Sequence, residues 1–213
     1  MQAMPHTKSK SAILTLVRHG ETPANVEGIW HGSMDTPLSS RGRAQARRVA
    51  SYLAETRSEA AALFASPLQR ARHTASAIAQ RLDLEVQVEA DLREYDLGRW
   101  EGRSYRELGE QHHLFERMKA DPDWNPGGGE SAREVALRLA GALQRIARGF
   151  AGKRVIVVSH GGALTLALGW LVDRDPSTWR RVMSNCGVTD LSLGAAPELL
   201  CFNETAHLED NPA

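Results

Sequence analysis

Length, composition and charge exclude several classes of protein. The chain has 213 residues, 42% of them hydrophobic, which suffices for one domain with a substantial core. Lysine plus arginine equals aspartate plus glutamate at 26 each, so no overall charge favours nucleic acid or an acidic membrane, and the two cysteines are too few for a disulfide framework or a four-cysteine zinc site.

The two ends of the chain are predicted to be tails. Residues 1–11 are polar and predict a flexible tail, and residues 206–213 predict a second one, which leaves a single domain at 12–205. No window approaches the roughly 20 apolar residues that a membrane span requires. We therefore expect a soluble cytoplasmic protein that binds neither membranes nor nucleic acid.

The first predicted elements alternate between strand and helix. Residues 12–17 form a continuous apolar run of buried-strand length. A helix follows, for which Ser39 or Ser40 is a suitable N-cap. A short strand at 61–65 then precedes a helix in which Pro67 is an early residue.

The pattern weakens in the middle of the chain. After a short strand at 85–88, residues 91–129 are rich in glycine and proline and predict an irregular excursion over the sheet edge. We expect one short helix in it, near 104–118. A strong amphipathic helix begins at Glu130-Ser131.

The last part of the chain predicts a strand at 154–159, a helix at 162–172, a shorter helix near 176–183, and two late strands near 188–193 and 198–203. Because strand and helix alternate almost throughout, the fold class is α/β, with a mostly parallel sheet and helices on both faces. The late strands offer an edge for a dimer contact, so a monomer and a homodimer both remain possible.

Two predicted strands end in almost the same way. Arg18-His19-Gly20 follows the first strand, and His160-Gly161 follows the strand at 154–159. Ligands bind at the carboxyl edge of open α/β sheets. A histidine there is a structural residue, a metal ligand or part of an anion site. The permanent charge of Arg18 opposes a metal, and helix N-termini after Gly20 and Gly161 would add N–H donors, so phosphate is the expected ligand.

Histidine in a phosphate pocket predicts nucleophilic catalysis. A neutral imidazole nitrogen can attack phosphorus to form a phosphohistidine, while arginines spread the charge of the transition state. The leaving oxygen then needs a proton donor. Asp91, Glu94, Asp96 and Glu101 are all candidates, and their spacing does not choose among them.

Five motifs in chain order resemble the histidine phosphatase superfamily, also called the phosphoglycerate mutase-like family. They are Leu16-Val17-Arg18-His19-Gly20-Glu21-Thr22 with Asn25, Ala65-Ser66-Pro67-Leu68-Gln69-Arg70-Ala71, Leu92-Arg93-Glu94 with Leu97-Gly98-Arg99-Trp100-Glu101-Gly102, Gly128-Gly129-Glu130-Ser131, and Val158-Ser159-His160-Gly161-Gly162. The resemblance covers about residues 12–205.

The resemblance implies a phosphomonoester hydrolase that needs no metal and no cofactor and acts on a small phosphorylated metabolite. His19 would be the phosphorylated nucleophile, and Glu94 would be the acid and then the base for water. The implied phosphate pocket is completed by Arg18, Arg70 and His160, with supporting contacts from Asn25, Gly161, Thr22 and Gly32.

Two other functions share these residues. A cofactor-dependent phosphoglycerate mutase would keep the phosphohistidine and rephosphorylate a bound product, and a non-catalytic domain would only bind phosphate. Residues 97–102 resemble the phosphatase form of their segment, and the excursion is short. Four basic residues of the excursion nevertheless offer partners for a second anion: Arg103, Arg106, Arg117 and Lys119.

Substrate specificity is expected to depend on residues 26–36 and 99–129. His31 could reach a substrate, although loop histidines are usually solvated. Several apolar residues either line a wall for the organic part of the substrate or simply pack in the core. These are Trp30, Tyr95, Trp100, Phe115 and Met118.

Overall fold

The structure is a computed structural model that describes residues 10–178 and 180–209. Its single sheet has six strands in the order β3-β2-β4-β1-β5-β6. The strands are β1 (Ala12–Arg18), β2 (Leu63–Ala65), β3 (Val86–Val88), β4 (Arg154–Ser159), β5 (Val188–Leu193) and β6 (Glu198–Glu204). The first four are mutually parallel, whereas β5 is antiparallel to both β1 and β6.

The described residues also form seven α-helices. They are α1 (Pro23–Val26), α2 (Ser40–Thr56), α3 (Gln69–Leu82), α4 (Tyr105–Glu110), α5 (Leu114–Ala120), α6 (Ala132–Gly149) and α7 (Gly161–Leu168). The predicted α/β class with a mostly parallel sheet is confirmed.

The sheet is buried on both faces, which explains why its central strands are continuously apolar. On β4, Val155 and Val157 pack in the core that contains α6 and α7, whereas Ile156 and Val158 pack in the core that contains α2 and α3. Helices therefore cover both faces, as predicted.

The antiparallel direction of β5 follows from the path of the chain. The segment after α7 returns to the carboxyl edge of the sheet, where the Cys186 N–H donates to the carbonyl of Arg18 at 2.9 Å. A strand that starts at this edge must run opposite to β1.

Capping side chains define the long helices. Ser39 caps α2 by accepting a hydrogen bond from the Gly42 N–H at 2.9 Å, so the first of the two predicted caps is correct. At the start of α6, Ser131 and Glu134 form a reciprocal capping box. The predicted start of this helix at Glu130-Ser131 lies within two residues of the observed one.

Three predicted helices form, but their bounds differ from the predicted ones. Pro67 is not inside α3, because the side chains of Ser66 and Asp35 accept the N–H groups of Leu68 and Gln69 just before and at its start. The helix predicted near 104–118 is two helices, α4 and α5, since His113 adopts a left-handed φ of 49° between them. The helix predicted at 162–172 is α7 followed by a π-helical turn, Gly169–Asp173.

The short helix predicted near 176–183 is wrong for the residues described there, which exclude position 179 and are not helical. Asp175 accepts hydrogen bonds from both the N–H and the hydroxyl of Ser177, at 2.9 and 2.7 Å. Such side-chain bonds compete with helix formation.

The domain limits at 12 and 205 stay a prediction, and residues 1–9 and 210–213 lie outside the described part. Beyond position 205, the turn Ala206–Leu208 packs against α2. The His207 ring stacks on Tyr52 with 4.6 Å between centroids, and Arg48 donates to the carbonyl of Leu208 at 2.6 Å. Across residues 10–178 and 180–209, every helix is too short or too polar to cross a membrane.

Candidate active site

The two histidines that follow strands meet at the carboxyl edge of the sheet. β1 and β4 are neighbours and pair Arg18 with Ser159, so His19 and His160 leave adjacent strands side by side. Their ring centroids lie 5.1 Å apart, and both side chains are almost completely buried. This edge is where the parallel strands were expected to place a ligand.

The His19 ring is held as a neutral imidazole. Its Nδ1 lies 2.7 Å from the carbonyl oxygen of Gly20, which can only accept, so Nδ1 carries the proton and Nε2 keeps a lone pair. Burial lowers the pKa of His19 well below its ordinary value, and the charges of Arg70 and Arg18 lower it further. His19 lines a cavity and can act there as a nucleophile.

His160 has the opposite tautomer. The guanidinium Nε–H of Arg70 donates to its Nδ1 at 3.2 Å, so the proton is on Nε2, which donates to the hydroxyl of Ser66 at 2.7 Å. Burial and the charge of Arg70 lower the pKa of His160 well below its ordinary value. Both ring nitrogens therefore bond to protein groups behind the cavity.

Arg70 is buried at the start of α3. It donates to the carbonyls of Met34 and Gly32, each at 2.7 Å, as well as to His160. Burial lowers its pKa to about 10, which leaves the guanidinium charged at neutral pH. The structure thus places Gly32 against Arg70 rather than in the lining of the cavity.

Arg18 lines the cavity beside His19. Its Nη1 donates to the carbonyl of Met183 at 2.6 Å, whereas its buried Nε has no hydrogen-bond partner among the described residues. The Cα of Gly161 lies so close that a Cβ there would be 3.0 Å from Cζ of Arg18. An unpartnered donor on a permanent cation is suited to an anionic ligand.

Glu94 reaches the N-terminus of α7. Its carboxylate accepts hydrogen bonds from the N–H groups of Tyr95, Gly162 and Ala163 at 2.8, 3.1 and 2.7 Å. A Cβ at position 162 would lie 2.9 Å from the Glu94 carboxylate, so glycine is needed there. These contacts hold the carboxylate in the wall of the cavity.

The other three carboxylates that spacing left open lie elsewhere. Asp91 pairs with Arg145 at 2.6 Å, Asp96 accepts the N–H of Gly98, and Glu101 accepts both the N–H and the hydroxyl of Ser33. Of the four candidates, only Glu94 lines the cavity.

The cavity has a volume of about 520 Å³, and two kinds of residue line it. The polar part of the lining is Arg18, His19, Asn25, His31, Glu94, Gly161, Gly162 and Asn185, and the apolar or aromatic part is Trp30, Tyr105, Phe115 and Val182.

The segment after Gly20 supports the site differently from what was expected. The helix there, α1, starts only at Pro23 and has a single turn, so no helix N-terminus directly follows Gly20. Thr22 is its N-cap and exchanges hydrogen bonds with Asn25, which lines the cavity. After Gly161 the expectation holds, because α7 begins there.

Sequence reasoning missed several residues of the site. Asn185 donates to the carbonyl of His19 at 3.0 Å and to the side chain of Asn25 at 3.2 Å. Tyr105 and Val182 line the cavity, and Arg138, on α6, holds the segment that carries Glu94. Tyr105 lies within the region expected to determine specificity but was not singled out there. Val182 and Asn185 lie far from the motifs along the chain, so no local pattern marks them.

Five residues were expected either to line a wall for the substrate or to pack in the core, and the structure distinguishes the two cases. Trp30 and Phe115 line the cavity, whereas Tyr95 and Met118 are fully buried and Trp100 lies outside the lining. His31 also lines the cavity; it is buried, not solvated, and burial together with the charges of Arg70 and Arg18 lowers its pKa to about 3. Throughout the described part of the chain, the histidine, cysteine and carboxylate side chains form no group of three able to hold a metal.

Comparison with known proteins points to one family. The model of the histidine phosphatase superfamily (branch 1) matches residues 14–204. The chain is 40% identical over 158 residues to phosphoglycerate mutase-like protein 4 of Arabidopsis thaliana, which covers 72% of this chain and 68% of that protein. It spans about half the length (54%) of a bifunctional protein of Mycobacterium tuberculosis, to which it is 33% identical over 92% of this chain.

Solved structures show the same fold. A mycobacterial glucosyl-3-phosphoglycerate phosphatase in complex with VO3 superposes with a TM-score of 0.82 at 29% identity, over 91% of this chain and 99% of the other. A phosphoserine phosphatase from Entamoeba histolytica in complex with 3-phosphoglyceric acid gives 0.83 at 30% identity, over 93% and 100% of the two chains.

Proposed function

Since the chain belongs to the histidine phosphatase superfamily (branch 1), we propose that it hydrolyses phosphomonoesters through a phosphohistidine on His19, without a metal ion or other cofactor. The observation that carries this proposal is the 2.7 Å contact between Nδ1 of His19 and the carbonyl oxygen of Gly20. The bond from Nδ1 to Gly20 leaves the Nε2 lone pair of a neutral, buried ring in a cavity that also presents Arg18 and Glu94.

In the first step, the Nε2 lone pair of His19 attacks phosphorus. The ester P–O bond breaks, and its electron pair leaves with the alcohol oxygen, which takes a proton from the Glu94 carboxyl group. The charge on the phosphoryl oxygens is stabilised by the guanidinium of Arg18, by Arg70 behind it and by the N-terminal end of α7 at Gly161.

In the second step, Glu94 takes a proton from water as the water oxygen attacks phosphorus. The P–N bond breaks, and phosphate leaves with His19 restored as the free base. His160 acts through Arg70: its Nδ1 accepts the Arg70 Nε–H and so orients the guanidinium at the back of the pocket. Asn25, tied to Thr22 and Asn185, and the Gly161 amide would support the bound phosphate.

The test is release of p-nitrophenol from p-nitrophenyl phosphate in the presence of EDTA. We expect turnover in the native protein and a loss of at least about 10³-fold in kcat for His19→Ala, because the covalent route disappears. The control is His73→Ala, which removes an exposed histidine on α3 outside the cavity.

A rapid-quench experiment with a ³²P-labelled ester locates the intermediate. Label on histidine is acid-labile and base-stable. Label that survives acid would contradict the phosphohistidine, and no release from any phosphomonoester would favour a domain that only binds phosphate.

Hydrolysis is favoured over mutase activity by the lining of the cavity. None of the four basic side chains offered for a second anion, Arg103, Arg106, Arg117 and Lys119, is among its described lining residues. We expect release of phosphate from 3-phosphoglycerate, if it is accepted at all, without a bisphosphoglycerate primer. Isomerisation that depends on the primer would identify a mutase.

A further inference from the structure

Four apolar or aromatic side chains belong to the lining of the cavity and are called the apolar wall here: Trp30, Tyr105, Phe115 and Val182. The rings of Trp30 and Tyr105 pack at 56° with 5.4 Å between centroids. Val182 is 54% exposed and Tyr105 is 38% exposed, whereas Trp30 is buried, so part of this apolar lining is open to solvent. Apolar surface that lines a cavity is typical of a ligand site.

The lining of the cavity carries one permanent positive charge, which matches one anionic group. Arg18 is the sole side chain with a permanent positive charge among the described residues that line the cavity. Arg70, which binds His160 behind the cavity, adds its charge to that of Arg18. His31 stays neutral, because burial lowers its pKa to about 3. A second anionic group on the substrate would therefore meet the apolar wall.

Four basic residues of the excursion are absent from the described lining of the cavity: Arg103, Arg106, Arg117 and Lys119. Arg103 is paired with Glu107, and the Arg117 guanidinium lies over the ring of Trp124, 5.3 Å from its centroid. Moving a carboxylate against apolar surface without a cation costs free energy.

We propose that the preferred substrates are phosphomonoesters of apolar or aromatic alcohols with no second anionic group, bound with the organic part on the wall of Trp30, Tyr105, Phe115 and Val182. This inference rests on the proposed phosphatase function. It distinguishes the chain from its structural neighbour solved with 3-phosphoglyceric acid, whose ligand carries a carboxylate.

The test compares two esters of equal length: n-hexyl phosphate and 6-phosphonooxyhexanoate, which differ in a terminal methyl or carboxylate. We expect kcat/KM for n-hexyl phosphate to be at least about tenfold higher. The matching phosphonates, n-hexylphosphonate and 6-phosphonohexanoate, cannot be hydrolysed, and calorimetry is expected to give the same order of affinity.

A charge placed on the wall should change this preference. Two ratios express it: kcat/KM of n-hexyl phosphate over that of 6-phosphonooxyhexanoate, and the affinity of n-hexylphosphonate over that of 6-phosphonohexanoate. Val182→Lys is expected to lower both ratios at least about threefold, since the new ammonium attracts the terminal carboxylate. Leu137→Lys is the matched control, because Leu137 is comparably exposed, at 45%, on α6 and outside the cavity. It should leave both ratios unchanged.

The outcomes separate the two proposals. If 6-phosphonooxyhexanoate is cleaved as well as n-hexyl phosphate or better, the substrate class is wrong while hydrolysis stands. If no ester is cleaved but n-hexylphosphonate binds more tightly, the phosphatase proposal fails and the apolar preference is supported. Ratios that respond equally to Val182→Lys and Leu137→Lys would refute the assignment of the wall.

Discussion

At the scale of single residues, the chemistry of each histidine depends on the polarity of its hydrogen-bond partner. Gly20 presents a carbonyl to His19 and so places the proton on Nδ1, whereas Arg70 presents an N–H to His160 and so places the proton on Nε2. Two histidines at matching positions in the sheet therefore have opposite tautomers. His19 offers a lone pair to the cavity, and His160 orients an arginine.

The proposed acid role of Glu94 predicts a dependence on the leaving group in the first step. Glu94→Gln should lower the rate of phosphoenzyme formation from alkyl phosphates by about 10²–10⁴-fold, because an alkoxide needs a proton as it leaves. The loss in this rate should be much smaller for p-nitrophenyl phosphate, whose phenolate leaves unprotonated. Single-turnover rapid quench with both esters measures the first step apart from the second, in which Glu94 acts as the base whatever the ester.

Glu101→Gln is the matched control for that experiment. Glu101 lies in the same excursion, but its carboxylate binds Ser33 and does not line the cavity. Glu94→Gln could lower the rate of phosphoenzyme formation equally for both esters, or the dependence on the leaving group could appear in Glu101→Gln instead. Either result would argue against Glu94 as the acid.

At the scale of elements, helix α6 holds the segment that carries Glu94 through Arg138. One guanidinium nitrogen of Arg138 donates to the carbonyls of Asp91 and Arg93 at 2.8 and 3.0 Å, and the other donates to the carbonyl of Glu94 at 3.2 Å. Glu130 binds the same guanidinium at 2.7 Å. The forked guanidinium of Arg138 thus joins the segment that carries Glu94 to helix α6.

Arg138→Lys should therefore lower kcat for alkyl phosphates by about 10- to 100-fold while KM changes little, because an ammonium cannot replace the fork and small displacements of a catalytic group are costly. Kinetics with alkyl and p-nitrophenyl phosphates would show the larger loss for the alkyl ester, as expected when the acid is displaced.

Arg145→Lys provides the comparison on the same helix. Arg145 pairs with the carboxylates of Glu89 and Asp91 at the surface, and we expect less than about a twofold change. A loss confined to KM in Arg138→Lys, or one no larger than in Arg145→Lys, would exclude the positioning role.

At the scale of the whole molecule, the buried histidines of the candidate site make stability depend on pH. His19, His31 and His160 are all held neutral, with burial as the largest cause of their lowered pKa values. The unfolded chain binds protons at these residues below pH 6.5, whereas the folded chain does not. Stability is therefore present above pH 6.5 and falls as the pH drops toward the folded pKa values.

Each such histidine should remove up to about 2 kcal/mol from the free energy of unfolding between pH 7 and pH 5. His31→Asn should reduce the pH-dependent loss by that amount, whatever its effect on absolute stability. Urea denaturation at the two pH values, without phosphate, measures the loss. The control is His73→Asn, because His73 is exposed. If the free energy of unfolding of His31→Asn depended on pH as strongly as that of the native protein, the link between the buried histidine and stability would be refuted.

Much of this fold and site could be predicted from local patterns. The apolar run of β1, the N-cap at Ser39 and the amphipathic stripe of α6 depend on neighbours along the chain, and the structure confirms all three. The break between α4 and α5 at His113 was missed, since a left-handed residue that is not glycine carries no clear sequence signal.

The sequence by itself determined that His19 and His160 follow two parallel strands. The carboxyl ends of such strands lie at one edge of the sheet, and this does not depend on the conformation of the loops. Spacing left four carboxylates open, and the family resemblance selected Glu94. Only the tertiary structure placed Glu94 on the N-terminus of α7 and bonded both nitrogens of His160 behind the cavity. It also assembled the apolar wall from Trp30, Tyr105, Phe115 and Val182, since loop conformations depend on contacts between segments far apart in the chain.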